Sequence, residues 1–221
     1  MIDLEHSTMP LDIAAQLCAV AHDLGLFAFV RVPERDYGSI GRLLDGGAIG
    51  ITAPRIQTVD EARTVVEACR FPPRGRRSQV STVPQLGFRP MRAGELGPLL
   101  DEATIVQVML ETPAAVAAAD AVAALDGLDM IILGANDFLA ELGCLGRYDD
   151  PRLREAVTSI AAACNRHGKL LMVGGVSDAS LVSDFRRLGA APVQITGFDT
   201  DFLFAASEAR VVQIRRFHEN A

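Results

Sequence analysis

The chain has 221 residues, 49% of them hydrophobic and 22% charged, and a formal net charge of −7 at pH 7. That size and apolar share suit one compact domain with a substantial core rather than a disordered chain, and a net negative charge with scattered arginines leaves no basic field for nucleic acid. No apolar run approaches the roughly 20 residues of a membrane helix, and Met1 opens straight into "IDLEH" without a basic or apolar leader, so a cytoplasmic protein with no membrane contact is expected.

In chain order, the first β-like run is "MIDLE". "PLDIAAQLCAVAHDLG" follows with apolar residues at helical spacing and stops at Gly25. The runs "FAFVRV" and "IGITAP" read as strands, and "VDEARTVVEACR" as a helix leading into the basic segment "FPPRGRRSQ". "TIVQVMLE" is the next strand, then the alanine-rich helix "TPAAVAAADAVAAL", the strand "LDMIILG" and the short helix "FLAELG". "DPRLREAVTSIAAACNRHG" carries clear start and stop signals: Asp150 as N-cap, Pro151 at the first helical position and Gly168 at the end. "LLMVGG" and "PVQITG" complete seven predicted strands.

Strands apolar on both sides of the pleat, each followed by a helix, indicate an α/β protein with a covered parallel sheet, and this much repetition favours a TIM-type (β/α)8 barrel. Seven strands in 221 residues fall short of the eight strands and roughly 250 residues typical of that fold, so the first N-terminal βα unit is expected to be absent. Residues 1–221 are read as a single barrel domain. The glycine cluster "DGGAIG" precedes a strand instead of following one, which speaks against dinucleotide binding. Cys18, Cys69, Cys144 and Cys164 lie far apart with no C-x-x-C pair and read as reduced packing residues.

A barrel keeps its working residues where strands end. Those positions hold Glu5 and His6 after the first strand, Glu111 after "TIVQVML", and Asn136 and Asp137 after "MIILG". Two carboxylates converging on one rim need a cation or a proton to relieve their repulsion, and with oxygen ligands alone the cation would be Mg²⁺ or Mn²⁺, with Co²⁺ as a substitute. Helix capping by Glu111 and by Asp137 explains the same placement equally well, and on spacing both readings stay open. His6, beside Glu5 and near Asp3, is placed as a general base, whereas His22, His167 and His218 have ordinary helical or tail positions. The single lysine, Lys169, starts a strand, so an imine mechanism has no lysine at the catalytic rim. Arg74, Arg76 and Arg77 form either a solvated basic loop or a source of one fixed donor at the rim.

Laid out in order, the motifs "DLEH", "VRVP", "P-x-I-Q-T-x-D-E-A" from Pro54, "PPRGRRS", "MLETPAAV", "GANDFLAELG" with "LGRYDDPRLREA", and "GFDTDFL" resemble the metal-dependent (class II) pyruvate aldolases of the 4-hydroxy-2-oxoheptanedioate aldolase and citrate lyase β superfamily. The resemblance runs nearly end to end. It implies a (β/α) barrel assembled as a homo-oligomer, a hexamer or trimer with exchanged helices, that cleaves 4-hydroxy-2-oxo acids to pyruvate and an aldehyde through a metal-stabilised enolate. It further implies Glu111 and Asp137 as metal ligands, backbone N–H groups of Asn136 and Asp137 as holders of the 2-oxo acid carboxylate, Arg77 as donor to the C2 oxygen and His6 as base. Ser78 stands where the family normally has glycine, and the usual aspartate partner of the base has no secure counterpart in "VSTVPQLGFRPMRAGELGPLL". An acyl-CoA lyase of the citrate lyase β type and a noncatalytic keto-acid-binding relative are the alternatives.

Overall fold

In the computed structural model, which describes residues 1–219, parallel strands alternate with helices as the hydrophobic pattern predicts. The elements are β1 (Ile2–Asp3), α1 (Leu11–Asp23), β2 (Phe29–Arg31), α2 (Ile40–Asp45), β3 (Gly50–Ala53), α3 (Val59–Cys69), α4 (Ala93–Ala103), β4 (Ile105–Leu110), α5 (Pro113–Ala117), α6 (Ala119–Ala123), β5 (Met130–Gly134), α7 (Ala135–Glu141), α8 (Pro151–His167), β6 (Leu170–Gly174), α9 (Ala179–Arg187) and α10 (Asp199–Glu219). The six strands pair in sequence order, every pair parallel, so each βα unit returns its chain to the neighbouring position of one sheet. Among the described residues no ladder joins the two edges, β1 and β6, and the sheet is a TIM-barrel-like layer that is not closed.

Strand alternation divides the core in two. Val30, Ile51, Val106, Val108, Leu110, Ile131, Leu133 and Leu171 point outward and pack with the helices in one large apolar cluster. Met109, Met130, Ile132 and Met172 point the other way and form a smaller inner cluster, closed by Ile195. The outer face is apolar throughout, while the inner face carries a polar row, Asp3, Arg31, Thr52 and Gln107, across β1 to β4 beside its apolar cluster.

The helix boundaries follow local chemistry. At α3, Thr58 and Glu61 form a reciprocal capping box: the Glu61 N–H donates to the Thr58 hydroxyl at 3.2 Å and the Thr58 N–H to the Glu61 carboxylate at 3.3 Å. Asp150 caps α8, accepting from the Arg152 N–H at 3.0 Å, and the helix ends where Gly168 takes φ 67°.

Two expectations are corrected. "PVQITG" forms no strand: Pro192 lacks an N–H for a ladder, and the segment meets the sheet through the single bond from the Ala191 N–H to the Leu171 carbonyl and through Ile195 in the inner cluster. The alanine-rich stretch is two short helices, α5 and α6, separated at Ala118. No described helix is long and apolar enough to cross a membrane. All four cysteines are free and buried, as expected of packing residues.

Candidate active site

The inner-face alternation of β4 runs Gln107, Met109, Glu111, so the strand that contributes to the inner core ends by projecting a carboxylate over it. Glu111 is 3% exposed. Space for its carboxylate comes from Gly134 at the end of β5, where a Cβ would lie only 2.7 Å from Glu111 Cγ and Oε1. Its Oε2 accepts the Arg55 N–H at 2.7 Å, and Arg55 reaches that pose at φ 50°, a left-handed conformation seldom adopted by a side-chain-bearing residue. Burial pushes the Glu111 acid up to about 7, an effect that Arg55 N–H opposes and that the negative charges of Asp137 and Glu5 increase.

On the neighbouring strands, Asp3 and Arg31 lie opposite each other in the β1–β2 register. Arg31 clasps Asp3 with two bonds, Nε to Oδ1 at 2.9 Å and Nη2 to Oδ2 at 2.5 Å, while Nη1 is 3.1 Å from Glu5 Oε2. Burial works against the ionised form of Asp3, but the Arg31 bonds outweigh it and hold the acid below its ordinary range. Glu5 is raised, chiefly by burial, because Arg31 compensates it only in part. His6 follows with its side chain 70% exposed and Nε2 3.7 Å from Glu5 Oε2, which is ion-pair range but not a hydrogen bond.

Asp137 lies in the first turn of α7, which starts directly after β5 with no side-chain cap. Its Oδ1 is 4.0 Å from Arg55 Nη1. Asn136 beside it accepts from the Tyr148 hydroxyl at 2.6 Å. A cavity of about 350 Å³ is lined by His6, Arg31, Thr52, Glu111, Asn136 and Asp137 together with Met109, Met172 and Ile195 of the inner core. Acidic groups following two neighbouring strands, Glu111 and Asp137, thus face one space. The helix-capping alternatives do not hold: Thr112, not Glu111, caps α5 by accepting from the Ala115 N–H at 3.1 Å, and α7 begins two residues before Asp137.

The donor set fits a hard divalent cation. Glu111 and Asp137 are both oxygen donors, they are coupled electrostatically, and Glu111 is deprived of a full countercharge. Among the described residues no cluster of three His, Cys, Asp or Glu side chains surrounds a single point, so most of the coordination shell would fall to water and ligand.

Arg77, which the resemblance implies as donor to the C2 oxygen, lies outside this cavity in the structure. Its side chain is 1% exposed, Nη2 donates to Asp45 Oδ1 at 2.8 Å and the guanidinium lies 4.5 Å from the centre of the Phe71 ring. It does not line the cavity that holds Glu111, but instead ties the "FPPRGRRS" loop to the end of α2. Arg31 is the cation the cavity contains. The strand reading "FAFVRV" had placed it inside a strand, whereas β2 ends at Arg31. The usable signal was an arginine in an otherwise apolar strand, which needs a buried partner such as Asp3 on the adjacent one. Lys169, by contrast, sits where expected, at the opposite end of the sheet, donating to the Leu128 carbonyl at 2.7 Å.

A family model described as HpcH/HpaI aldolase/citrate lyase matches residues 1–206. The chain is 40% identical over 177 residues to the 4-hydroxy-4-methyl-2-oxoglutarate aldolase of Hapsidospora irregularis, an alignment that takes in 79% of this chain and 66% of that relative, slightly under two thirds of its length. It is 33% identical to the 4-hydroxy-2-oxovalerate aldolase of Rhodococcus jostii over an alignment of 222 residues, 97% of this chain and 83% of the relative. The crystal structure of an HpcH/HpaI aldolase from Desulfitobacterium hafniense superposes with a TM-score of 0.86 at 27% identity, covering 96% of this chain and 82% of that one. Parallel βα units in this order, carboxylates gathered at the strand ends and a family match over most of the length lead to one conclusion: the chain belongs to the HpcH/HpaI aldolase/citrate lyase family.

Proposed function

We propose that residues 1–221 form one aldolase domain that cleaves 4-hydroxy-2-oxo acids to pyruvate, or a close analogue, and an aldehyde, with Mg²⁺ or Mn²⁺ held by Glu111 and Asp137. The observation that carries this reading is the buried Glu111, raised to about 7, sharing a cavity with Asp137, Arg31 and His6. The names of the relatives support the reaction class. A divalent cation at the two carboxylates would supply Lewis-acid stabilisation of the enolate.

The remaining work falls to the chain's own groups. Arg31, fixed by Asp3 and partly shielded from water, is a preorganised donor to the C2 oxygen as negative charge develops there. His6, exposed at the mouth, takes the proton from the C4 hydroxyl as the C3–C4 bond breaks to give the aldehyde and the enolate, and returns that proton to C3 to give pyruvate. The backbone N–H groups of Asn136 and Asp137, uncapped by any side chain, receive the 2-oxo acid carboxylate. The inner wall of Met109, Ile132 and Met172 keeps water from the C3 carbanion face.

The working unit is read as a homo-oligomer. Helix α10 leaves Phe202, Leu203, Phe204, Val211, Val212 and Ile214 exposed, between 42% and 70% each, and such a face requires a covering surface, here a second copy of the chain. Buried reduced thiols suit a cytoplasmic setting. The test is pyruvate release from 4-hydroxy-2-oxo acids, followed with lactate dehydrogenase, with and without EDTA. Activity that vanishes on chelation and returns with Mg²⁺ or Mn²⁺ is expected, and activity indifferent to chelation would exclude this mechanism.

A further inference from the structure

Tyr148 belongs to the loop between α7 and α8, far in sequence from any strand end, and yet its hydroxyl reaches the rim of the cavity. Its ring packs against the main apolar cluster. The loop is held on both sides: the Arg147 N–H donates to the Cys144 carbonyl at 3.0 Å and the Asp150 N–H to the Arg147 carbonyl at 3.0 Å. Asp150 itself is fixed by capping α8 and by the Arg152 guanidinium at 2.7 and 2.9 Å. From that anchored base the Tyr148 hydroxyl donates to Asn136 Oδ1 at 2.6 Å and stands 3.3 Å from the Gly175 carbonyl oxygen. Gly175, at φ 80°, lacks a side chain at the point where a Cβ would fall 2.9 Å from Asn136 Nδ2. The amide of Asn136 is therefore gripped between a hydroxyl on one side and the backbone of the β6 end on the other.

We propose that Tyr148 is a positioning residue for the 2-oxo acid, acting through Asn136 to hold the turn of residues 134–137 that carries Asp137 to the cavity. The inference rests on the aldolase reading of the site. No other described side chain bonds the Asn136 amide, and Asn136 immediately precedes the metal-ligand candidate, so freedom at Asn136 becomes freedom at Asp137. The phenol is not placed to touch reacting atoms: it is absent from the cavity lining, and its partner oxygen is already engaged.

The decisive comparison uses Tyr148→Phe, which keeps the packed ring and removes only the hydroxyl, with Asn136→Ala and the double variant. Tyr148→Phe is expected to raise KM for pyruvate in the aldol direction about fivefold, the worth of one neutral hydrogen bond, with kcat within about twofold of wild type. Calorimetry should show a matching loss of pyruvate affinity in the presence of Mn²⁺. Deuterium exchange of the peptide spanning residues 134–141 should quicken in the unliganded variant. Because Tyr148 works through Asn136, the double variant should match Asn136→Ala alone, whereas a merely structural role would give additive losses. Unchanged KM, affinity and exchange in Tyr148→Phe, or additivity in the cycle, would overturn the inference. A wild-type protein that binds no pyruvate and turns over no 2-oxo acid overturns the aldolase reading and this inference together; a working wild type with an unaltered Tyr148→Phe overturns this inference alone.

Discussion

Replacing Glu111 by Gln should make the metal-free protein more stable at alkaline pH while removing its metal-dependent activity. Glu111 is 3% exposed, faces Asp137 and Glu5, and titrates near 7 instead of the ordinary 4.5. A carboxyl whose folded-state value is raised binds its proton more tightly when folded, so its contribution to stability is complete below 4.5 and is lost as pH rises through about 7. The displacement from 4.5 to about 7 corresponds to about 3 kcal/mol. Gln cannot ionise and thus avoids that loss, while its Oε1 still accepts the Arg55 N–H.

The assay is urea unfolding in EDTA at pH 5 and pH 8. At pH 5 Glu111 is protonated in the folded protein and mostly ionised in the unfolded one, so the variant should be more stable by only about 1 kcal/mol. At pH 8 the variant should be more stable by about 3 kcal/mol. Adding Mn²⁺ at pH 8 should stabilise wild type, by about 2.7 kcal/mol at a hundredfold excess over Kd, and leave the variant unmoved. A variant no more stable than wild type at pH 8 without metal would refute the claim that Glu111 is held at an electrostatic cost.

Arg31→Lys should lower kcat for pyruvate release by two to three powers of ten, about 3 kcal/mol, because a point charge cannot keep both the bidentate clasp on Asp3 and the donor geometry toward C2; turnover near wild type would remove Arg31 from the mechanism. Arg77→Ala should act on stability instead, costing about 3 kcal/mol in urea unfolding by stranding Asp45 and uncovering Phe71, with kcat per folded molecule within about threefold; a selective loss of kcat would restore Arg77 to the site. Burial pushes the Cys69 thiol up to about 12 and those of Cys18 and Cys164 to about 11, so Ellman's reagent at pH 8 should find these three unreactive until the protein is unfolded; their prompt reaction in the folded protein would contradict the packing.

What the sequence discloses depends on how local the cause is. Asp150, Pro151 and Gly168 mark the limits of α8 because each acts on its own backbone within one turn, and the structure places the boundaries there. Glu111's place facing the cavity is legible for a related reason: it is the next inward position after Gln107 and Met109 when β4 is counted in twos, whereas Asp137 sits in the first turn of α7, where that count does not reach. Arg31 is harder, because its meaning lies in Asp3, 28 positions away and opposite only once β1 and β2 pair. For Arg77 a basic run leaves a solvated loop and a rim donor both open, and its bonds to Asp45 and its place over Phe71 depend on residues distant in sequence. "PVQITG" has the composition of a strand, but Pro192 and the want of a hydrogen-bonded neighbour beyond it leave only its apolar side chain Ile195 in place.

The charges around the cavity add a constraint that no single residue expresses. Asp3, Glu5, Glu111 and Asp137 supply four carboxylates, while Arg31 and Arg55 supply two guanidiniums. The tightest pairing, Arg31 with Asp3, is already satisfied, and Arg55 spreads its one charge over Glu34, Asp137 and Glu141 at 3.6 to 4.0 Å. With every acid ionised, carboxylates outnumber guanidiniums around the cavity, and Asp201 of α10 adds one more acid to its lining. A proton on Glu111 lessens that excess and is favoured first by burial and then by the acidic neighbours; a divalent cation would lessen it further. Proton and proposed cation would compete for the same carboxylate, so metal loading would release the proton. A 2-oxo acid brings a further negative charge to this already acidic space, and would bind well only after that excess has been lessened. On the proposed reading, the cation would bind before the keto acid.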